Sequence, residues 1–90
     1  MEVITLLGKL YGPCELCRDK YGNNYIRFKL YTIRKDAVYR CYSYDTSFAD
    51  LQDRDTVCLV GDVVINIYTD EEGKSRVIID VYVKNLERIS

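Results

Sequence analysis

The alternation of apolar and polar side chains between Tyr25 and Tyr31 constrains the fold of this 90-residue chain more than any other feature. Ile26, Phe28 and Leu30 occupy every second position, which is the period of a half-buried β-strand with one face in a core. The positions between them carry rings and cations, namely Tyr25, Arg27, Lys29 and Tyr31. A water-facing surface of this kind is suited to bases and phosphates.

A second strand over residues 37–44 is predicted to pair with the first as a hairpin. A two-residue turn at Lys35 and Asp36 separates the two strands, and the second has the sequence AVYRCYSY. Each base stacked on an aromatic ring contributes about 1–3 kcal/mol without regard to sequence, and Lys or Arg contacts to phosphates add a salt-dependent contribution. The hairpin is therefore a candidate surface for a single-stranded nucleic acid.

The remaining segments predict an all-β fold. Strands are expected over residues 3–10, 56–69 and 76–84, with a short extended segment over 15–20 and one or two helical turns over 47–53. Gly61 lies in the middle of the long strand 56–69, where a strand that wraps a small barrel bends. Five strands with one short helix between the third and fourth predict a five-stranded OB-fold barrel. Residues 1–90 are expected to form a single domain without a linker or an acidic C-terminal tail.

The charge of the chain is unevenly distributed. A net charge of −1 by itself argues against a nucleic-acid partner. Residues 1–42 hold eight Lys or Arg against four acids, whereas residues 43–90 hold five against ten. Because local potential rather than net charge governs docking, the basic half is compatible with binding to phosphates. The alternative is that solvated charges segregate without a functional reason.

Four cysteines raise the question of a metal site. Cys14 and Cys17 form a CxxC pair, but Cys41 and Cys58 are isolated in strand-like segments and the chain has no histidine. A structural zinc site takes four Cys or His ligands, commonly in paired knuckles. Reduced thiols and no cofactor are therefore expected, while metal binding by the CxxC pair stays open.

Catalytic and targeting motifs are missing from the sequence. It contains no His, no glycine-rich phosphate loop, and no Ser or Cys beside an evident base, so we expect no enzymatic activity. The N-terminal segment MEVITLLGKL lacks a basic region, and its apolar run breaks at Gly8. This argues against a signal peptide or a membrane span and predicts a cytoplasmic protein.

Short patterns along the chain resemble those of one family. The first strand and turn resemble a V-x-L-x-G-x-L pattern followed by P-E-L, at Ile4, Leu6, Gly8, Leu10, Pro13, Glu15 and Leu16. The stretch TVCLVGDV at 56–63 resembles a V-x-V-x-G-x-L strand, and Asp70, Gly73 and Arg76 resemble a D-x-x-G-x-x-R hairpin. In the order and spacing of these patterns, the chain is similar to the bacterial and phage single-stranded-DNA-binding proteins of OB-fold type.

The resemblance implies single-stranded DNA as the partner and a part in DNA replication, repair or recombination. It places Tyr44 on an aromatic at the end of the family's third strand and Tyr68 on one just before the last hairpin tip. With the stacking and phosphate arguments, the predicted nucleic-acid-binding residues are Arg27, Lys29, Tyr31, Arg34, Lys35, Arg40, Tyr42, Tyr44 and Tyr68, with Tyr25 as a further platform. Tyr11, Tyr39 and Tyr82 are instead expected to pack at the barrel ends or in an oligomer interface.

The resemblance also implies self-association. Members of the family pair the first strand antiparallel between subunits, so a homodimer or homotetramer through residues 3–7 is expected. Two other functions stay open for the chain. One is an OB-fold protein-interaction module, such as a primosome-type accessory protein. The other is an RNA binder, because base stacking alone does not distinguish RNA from DNA.

Overall fold

The computed structural model describes residues 2–32 and 37–89, and most of these residues lie in β-strands. Their strands are β1 (Glu2–Leu10), β2 (Glu15–Arg18), β3 (Asn24–Tyr31), β4 (Val38–Ser43), β5 (Thr56–Thr69) and β6 (Ser75–Arg88). A single turn of 3₁₀-helix, Thr46–Phe48, lies between β4 and β5. In these residues no helix has the length and apolar character needed to cross a membrane.

Five of the strands close into a ring in the order β1, β5, β6, β4 and β3. The ring closes where Lys9 and Leu10 of β1 pair with Tyr31 and Leu30 of β3. All of these pairings are antiparallel except that of β4 with β6, which is parallel. The predicted all-β fold with five principal strands is thereby confirmed. The sixth strand, β2, is the short segment expected to be merely extended, and it pairs with β3.

Two glycines allow the backbones to approach closely where the ring bends. A Cβ on Gly8 would collide with the carbonyl oxygen of Tyr31, at the point where β1 reaches β3. A Cβ on Gly61 would lie 2.6 Å from the carbonyl oxygen of Tyr82. The register of β5 against β6 also shifts between Val60 and Gly61, as in a β-bulge. The irregularity in β5 therefore lies at Gly61, the residue at which a bend was predicted.

The core lies inside the ring and follows the predicted alternation. Ile26, Phe28 and Leu30 of β3 are buried, while the residues between them face outward. The buried apolar residues that form the core cluster are Leu6, Leu10, Ile26, Phe28, Leu30, Cys41, Leu51, Val57, Leu59, Val81 and Leu86. Because one face of each strand is fixed in this core, the direction of the outward side chains is fixed as well.

The helical segment is shorter than predicted. One or two turns capped by Ser47 were expected, but the single 3₁₀ turn begins one residue earlier and is capped by Asp45, whose carboxylate accepts the Ser47 N–H at 3.2 Å. The chain then leaves the turn so that Leu51 enters the core. After the turn, the Leu51 carbonyl accepts the Cys14 N–H at 3.2 Å, a bond to the loop after β1 in place of a further helical bond.

The ends of β5 and β6 form a two-stranded arm beyond the ring. Among the described strands, residues 64–69 of β5 pair only with β6, and residues 75–78 of β6 pair only with β5. Ile65, Ile67 and Val77 are consequently exposed. Ile65 and Ile67 follow the buried Val57 at the period of two residues, but they are exposed because no third described strand covers the arm. The predicted tip at 70–74 is confirmed by the bond from the Asp70 N–H to the Lys74 carbonyl, 2.9 Å.

Candidate nucleic-acid interface

The outer surface of β3, β4 and β6 brings rings and cations from three strands into adjacent positions. Across the hairpin, Arg27 lies opposite Tyr42 and Lys29 lies opposite Arg40. On the other side of β4, the parallel pairing places Tyr42 beside Tyr82. Because directly opposed residues on one face of a sheet are neighbours, these side chains share one outer surface.

Four tyrosines form a continuous row on this surface. We define the tyrosine row as Tyr44, Tyr25, Tyr42 and Tyr82. The ring of Tyr25 lies 5.9 Å from Tyr44 and 6.5 Å from Tyr42, centroid to centroid. Tyr42 in turn stacks on Tyr82 at 5.5 Å with an interplanar angle of 23°. All three spacings fall in the range of favourable aromatic pairs. The outer members, Tyr44 and Tyr82, are 66% and 50% exposed and present ring surface to solvent.

The Tyr44 end of the row is fixed by the loop between β2 and β3. The Tyr44 hydroxyl donates to Oδ2 of Asp19 at 2.9 Å, while Oδ1 of Asp19 accepts the N–H groups of Tyr21 and Asn23. The backbone bond from Asn23 is the largest of several that lower the pKa of Asp19. The bond to Asp19 in turn raises the pKa of Tyr44. Asp19 is therefore a charged acceptor that orients the first ring of the row.

A buried carboxylate, Asp80 of β6, holds the other end of the surface together. It is 4% exposed. It accepts two bonds from Arg40, Nε to Oδ1 at 2.7 Å and Nη2 to Oδ2 at 3.0 Å. The Tyr42 hydroxyl and the Asn66 amide donate to it at 3.3 and 3.1 Å. The bonds from Arg40 are the main reason that the pKa of Asp80 is lowered. Asp80 thereby links β4, β5 and β6 beneath the row.

The cations of this surface differ in the ion pairs that they form. Arg27 donates Nε and Nη2 to one carboxylate oxygen of Glu15, at 3.1 and 2.8 Å, and these bonds raise the pKa of Arg27. Arg40 also donates Nε and Nη2, but to both carboxylate oxygens of Asp80. Lys29 forms no ion pair with any residue in 2–32 or 37–89. A guanidinium has five N–H donors, so both arginines keep donors free for an incoming phosphate.

A groove of about 430 Å³ runs over these cations. One wall is the loop after β1, whose Gly12 N–H is anchored to Oδ1 of Asp53 at 2.7 Å. The lining residues are Tyr11, Gly12, Pro13, Glu15, Arg27, Phe28, Lys29, Arg40, Cys41 and Tyr42. The groove therefore combines aromatic surface with cationic donors beside the tyrosine row, which is the combination that a single strand requires.

The structure brings some of the predicted residues together and separates others. Arg27, Lys29, Arg40, Tyr42 and Tyr44 lie on the surface just described, next to Tyr25. Tyr31 lies at the far end of β3, beside the ring of Tyr11. Tyr68 lies on the arm opposite Arg76. It is six residues along β5 from Asp62, the residue that pairs with Tyr82. Arg34 and Lys35, with the predicted turn at Lys35 and Asp36, fall outside the described residues.

One member of the tyrosine row, Tyr82, was not among the binding residues predicted from the sequence. Tyr82 was expected to pack in a barrel end or an interface, but in the single chain its ring is half exposed and stacked on Tyr42. Tyr11 is also exposed, whereas Tyr39 packs against the core as expected. The parallel pairing of β4 with β6 brings Tyr82 next to Tyr42. No local sequence pattern predicts a pairing of this kind.

The cysteines do not form a recognisable metal centre. All four are free thiols, and no cluster of three or more His, Cys, Asp or Glu side chains suited to a metal occurs in the described ranges. Burial is the main reason that the pKa of Cys14 rises to about 11 and that of Cys41 to about 12. Thiols with such pKa values are protonated near neutral pH and react slowly.

Comparison with known proteins gives matches in structure alone. Neither a family model nor a curated protein matches the sequence. The small single-stranded-DNA-binding protein from Streptomyces coelicolor superposes with a TM-score of 0.77 at 17% identity, over 97% of this chain and 93% of that chain. The fold is that of the single-stranded-DNA-binding proteins.

Two further solved structures share this single-stranded-DNA-binding fold. The wild-type single-stranded-DNA-binding protein from Thermus aquaticus has a TM-score of 0.78 and 17% identity, and all of this chain covers 41% of that one. The mitochondrial single-stranded-DNA-binding protein Rim1 from S. cerevisiae has a TM-score of 0.71 and 11% identity, over 99% and 95% of the two chains. The fold expected from the sequence resemblance is thus confirmed.

Proposed function

We propose that the outer face of β3, β4 and β6 binds single-stranded DNA without sequence specificity. The observation that carries this proposal is the tyrosine row, in which four neighbouring rings lie beside a groove lined by Arg27, Lys29 and Arg40. The solved structures with the same fold are described as single-stranded-DNA-binding proteins, which supports the same partner for this chain.

In the proposed mode the bases stack on exposed ring surface and the phosphates contact the cations of the groove. Every base has a π-face, so stacking on Tyr44 and Tyr82 is tolerant of sequence and contributes about 1–3 kcal/mol per base. The Asp80 and Asp19 carboxylates hold Tyr42 and Tyr44 in place before the strand arrives. Such preorganisation lowers the entropic cost of binding.

The central test measures binding of a fluorescently labelled oligo-dT by anisotropy, in the wild type and in two Tyr82 variants. Replacement of Tyr82 by Leu removes a stacking ring and is expected to weaken binding about tenfold. Tyr82→Phe is the matched control, because it keeps the ring and removes only the hydroxyl. Absence of binding to oligo-dT at low salt, or equal affinities for Tyr82→Leu and the wild type, would contradict the proposal.

Competition with oligo-rU and with duplex DNA separates the alternative partners. We expect oligo-dT to compete best and duplex DNA to compete poorly, because paired bases do not expose their faces to the tyrosine row. Tighter binding to rU than to dT would identify an RNA binder instead. The proposed role is binding without turnover, so the oligonucleotide should be recovered intact after incubation.

We also propose that two copies associate through β1. Over residues 2–8, one edge of β1 pairs with β5 while no described strand pairs with the other edge. Val3 and Leu7 on this strand are exposed. An unpaired edge with apolar side chains is a template for antiparallel pairing with a second copy, which adds backbone hydrogen bonds and covers those side chains.

Light scattering at micromolar concentration tests this association. A dimer or tetramer is expected for the wild type, and Leu7→Lys should shift it towards the monomer because edge lysines oppose strand pairing. Leu16→Lys, at a similarly exposed position on β2, is the matched control and should leave the assembly unchanged. A monomeric wild type would refute the association without affecting the test of DNA binding.

A further inference from the structure

A second depression lies at the other end of β3, outside the tyrosine row. It has a volume of about 360 Å³ and is lined by Tyr11, Tyr31, Val38, Asp53 and Arg54. The rings of Tyr11 and Tyr31 meet edge to face, with centroids 6.4 Å apart and an interplanar angle of 82°. Tyr11 is 63% exposed, so much of its ring is open to a ligand.

Tyr11 lines both this depression and the groove over Arg27, Lys29 and Arg40. The two concave surfaces therefore adjoin at Tyr11. A strand that lies on the tyrosine row and crosses the groove arrives at Tyr11 without leaving the surface of the protein.

Cations flank the second depression as well. Lys9 lies directly opposite Tyr31 in the pairing of β1 with β3 and is exposed. The Arg54 side chain is 83% exposed, and its ion pair with Asp53 is long, 3.9 Å. Asp53 is itself held by the Gly12 N–H. Both cations therefore remain accessible to a phosphate beside the two rings.

The backbone at Arg54 gives a second, independent indication. Its φ is 71°, in the left-handed region, where Gly or Asn would be less strained. The Arg54 N–H donates to the Leu10 carbonyl at 2.9 Å, which fixes this turn against the end of β1. Strained positions of this kind cluster at functional sites, and the strained residue here is one that lines the depression.

We propose that Tyr11 and Tyr31, with Lys9 and Arg54, form a second base-stacking subsite for the same single strand. This inference rests on the proposed function and deepens it. It assigns the strand a path from the tyrosine row, across the groove, to the end of β1, rather than out along the arm past Tyr68.

The spacing of the two subsites sets the length of strand that can use both. Tyr25 and Tyr31 are six residues apart on β3, or about 20 Å at the rise of a β-strand. At the roughly 3.4 Å rise of a stacked strand this is about six nucleotides, and fewer when the strand is extended. An oligonucleotide of about four nucleotides therefore occupies one subsite, whereas one of about twelve reaches both.

The test measures affinity for oligo-dT as a function of length, from about 4 to about 16 nucleotides, which spans the site sizes of OB-folds. For long oligonucleotides, Tyr11→Leu is expected to weaken binding about tenfold, while Tyr11→Phe stays close to the wild type. For the shortest oligonucleotides, Tyr11→Leu should weaken binding much less than Tyr82→Leu does, because the tyrosine row is intact. Arg54→Asn, which suits a left-handed backbone, should lower the salt slope for long oligonucleotides by about 0.7.

The outcomes separate this inference from the proposed function. If the wild type fails to bind oligo-dT of any length, the proposed function falls and the inference with it. If Tyr82→Leu weakens binding at all lengths while Tyr11→Leu matches the wild type at all lengths, only the second subsite is refuted. If Tyr68→Leu shows the length-dependent loss in place of Tyr11→Leu, the strand follows the arm. The variants at Tyr11, Arg54, Tyr68 and Tyr82 should unfold at the wild-type temperature, which shows that a loss of affinity does not come from a loss of folding.

Discussion

Asp80 is expected to stabilise the fold as well as the binding surface, and Asp80→Asn isolates that contribution. The substitution keeps the shape of the side chain but removes its charge. The carboxylate accepts two bonds from Arg40 and one each from Tyr42 and Asn66. An Asn amide has a single acceptor oxygen, so some of these donors would lose their partner.

The expected cost is about 2 kcal/mol at pH 7. Hydrogen bonds to charged groups contribute about 1.5–3 kcal/mol each, but the value must be discounted because the Arg40 side chain is 43% exposed and can recover water contacts. For a domain of 60–100 residues, a loss of 1 kcal/mol lowers Tm by about 4–8 °C, so a fall of about 8–16 °C is expected. Thermal unfolding followed by circular dichroism measures this difference.

The pH dependence of the difference provides the sharper test. The pKa of Asp80 is lowered in the folded state, chiefly by the bonds from Arg40. Its stabilisation is therefore fully present above the ordinary Asp pKa and is lost as the pH falls through the lowered value. The difference in Tm between the wild type and Asp80→Asn should be constant from pH 7 to 5 and shrink in stronger acid.

Asp50→Asn is the matched control for Asp80. Asp50 also accepts an Arg bond of 2.7 Å, from Arg88, but the pair lies on the open surface. Such pairs contribute little, so the control should change Tm far less. If Asp80→Asn unfolds at the wild-type temperature at pH 7, or if the difference does not shrink in acid, the stabilising role assigned to Asp80 is wrong.

Three other expectations follow from the packing and from the thiol environments. Gly61→Ala should lower the free energy of unfolding in urea by about 1–3 kcal/mol, because the added methyl group meets the Tyr82 carbonyl; an unchanged midpoint would contradict the close approach. Alkylation by iodoacetamide at pH 8, read by mass spectrometry, should be slow at Cys14 and slowest at Cys41 until the protein is unfolded; rapid native labelling of Cys41 would contradict its burial. Asp70→Ala should speed amide exchange at the arm tip and leave the ring unaffected, because the Asp70 carboxylate accepts two backbone N–H groups of the tip.

The elements with a strong local pattern were predictable from the sequence. The bounds of β5, Thr56–Thr69, are those predicted, because a long run of β-branched residues with a central glycine has few other interpretations. The alternation in β3 likewise identified its buried face. In contrast, β2 has only four residues and no buried ones, so its pairing depends on β3 rather than on its own sequence.

The candidate site was predictable only where it lies within one hairpin. Arg27, Lys29 and Arg40 could be placed on one face from the period of two residues alone. The stacking of Tyr82 on Tyr42 and the burial of Asp80 arise from the parallel pairing of β4 with β6, whose partners are about 40 residues apart in sequence. Local periodicity contains no information on such a contact.

The ion pairs on the proposed interface change what its cations can do, and salt dependence should show it. Arg27 is neutralised by Glu15, whereas Lys29 has no acidic partner in the described part of the chain. Counterion release depends on the phosphates that are neutralised, at a slope of about 0.7 per contact for single strands. Lys29→Ala should therefore lower the salt slope by about 0.7, while the charge-balanced double substitution Arg27→Ala/Glu15→Ala should change it little. If the double substitution changes the slope as much as Lys29→Ala does, the Arg27–Glu15 ion pair opens on binding and Arg27 contacts a phosphate. Phosphate contacts would then contribute a larger share of the affinity, relative to stacking on the tyrosine row.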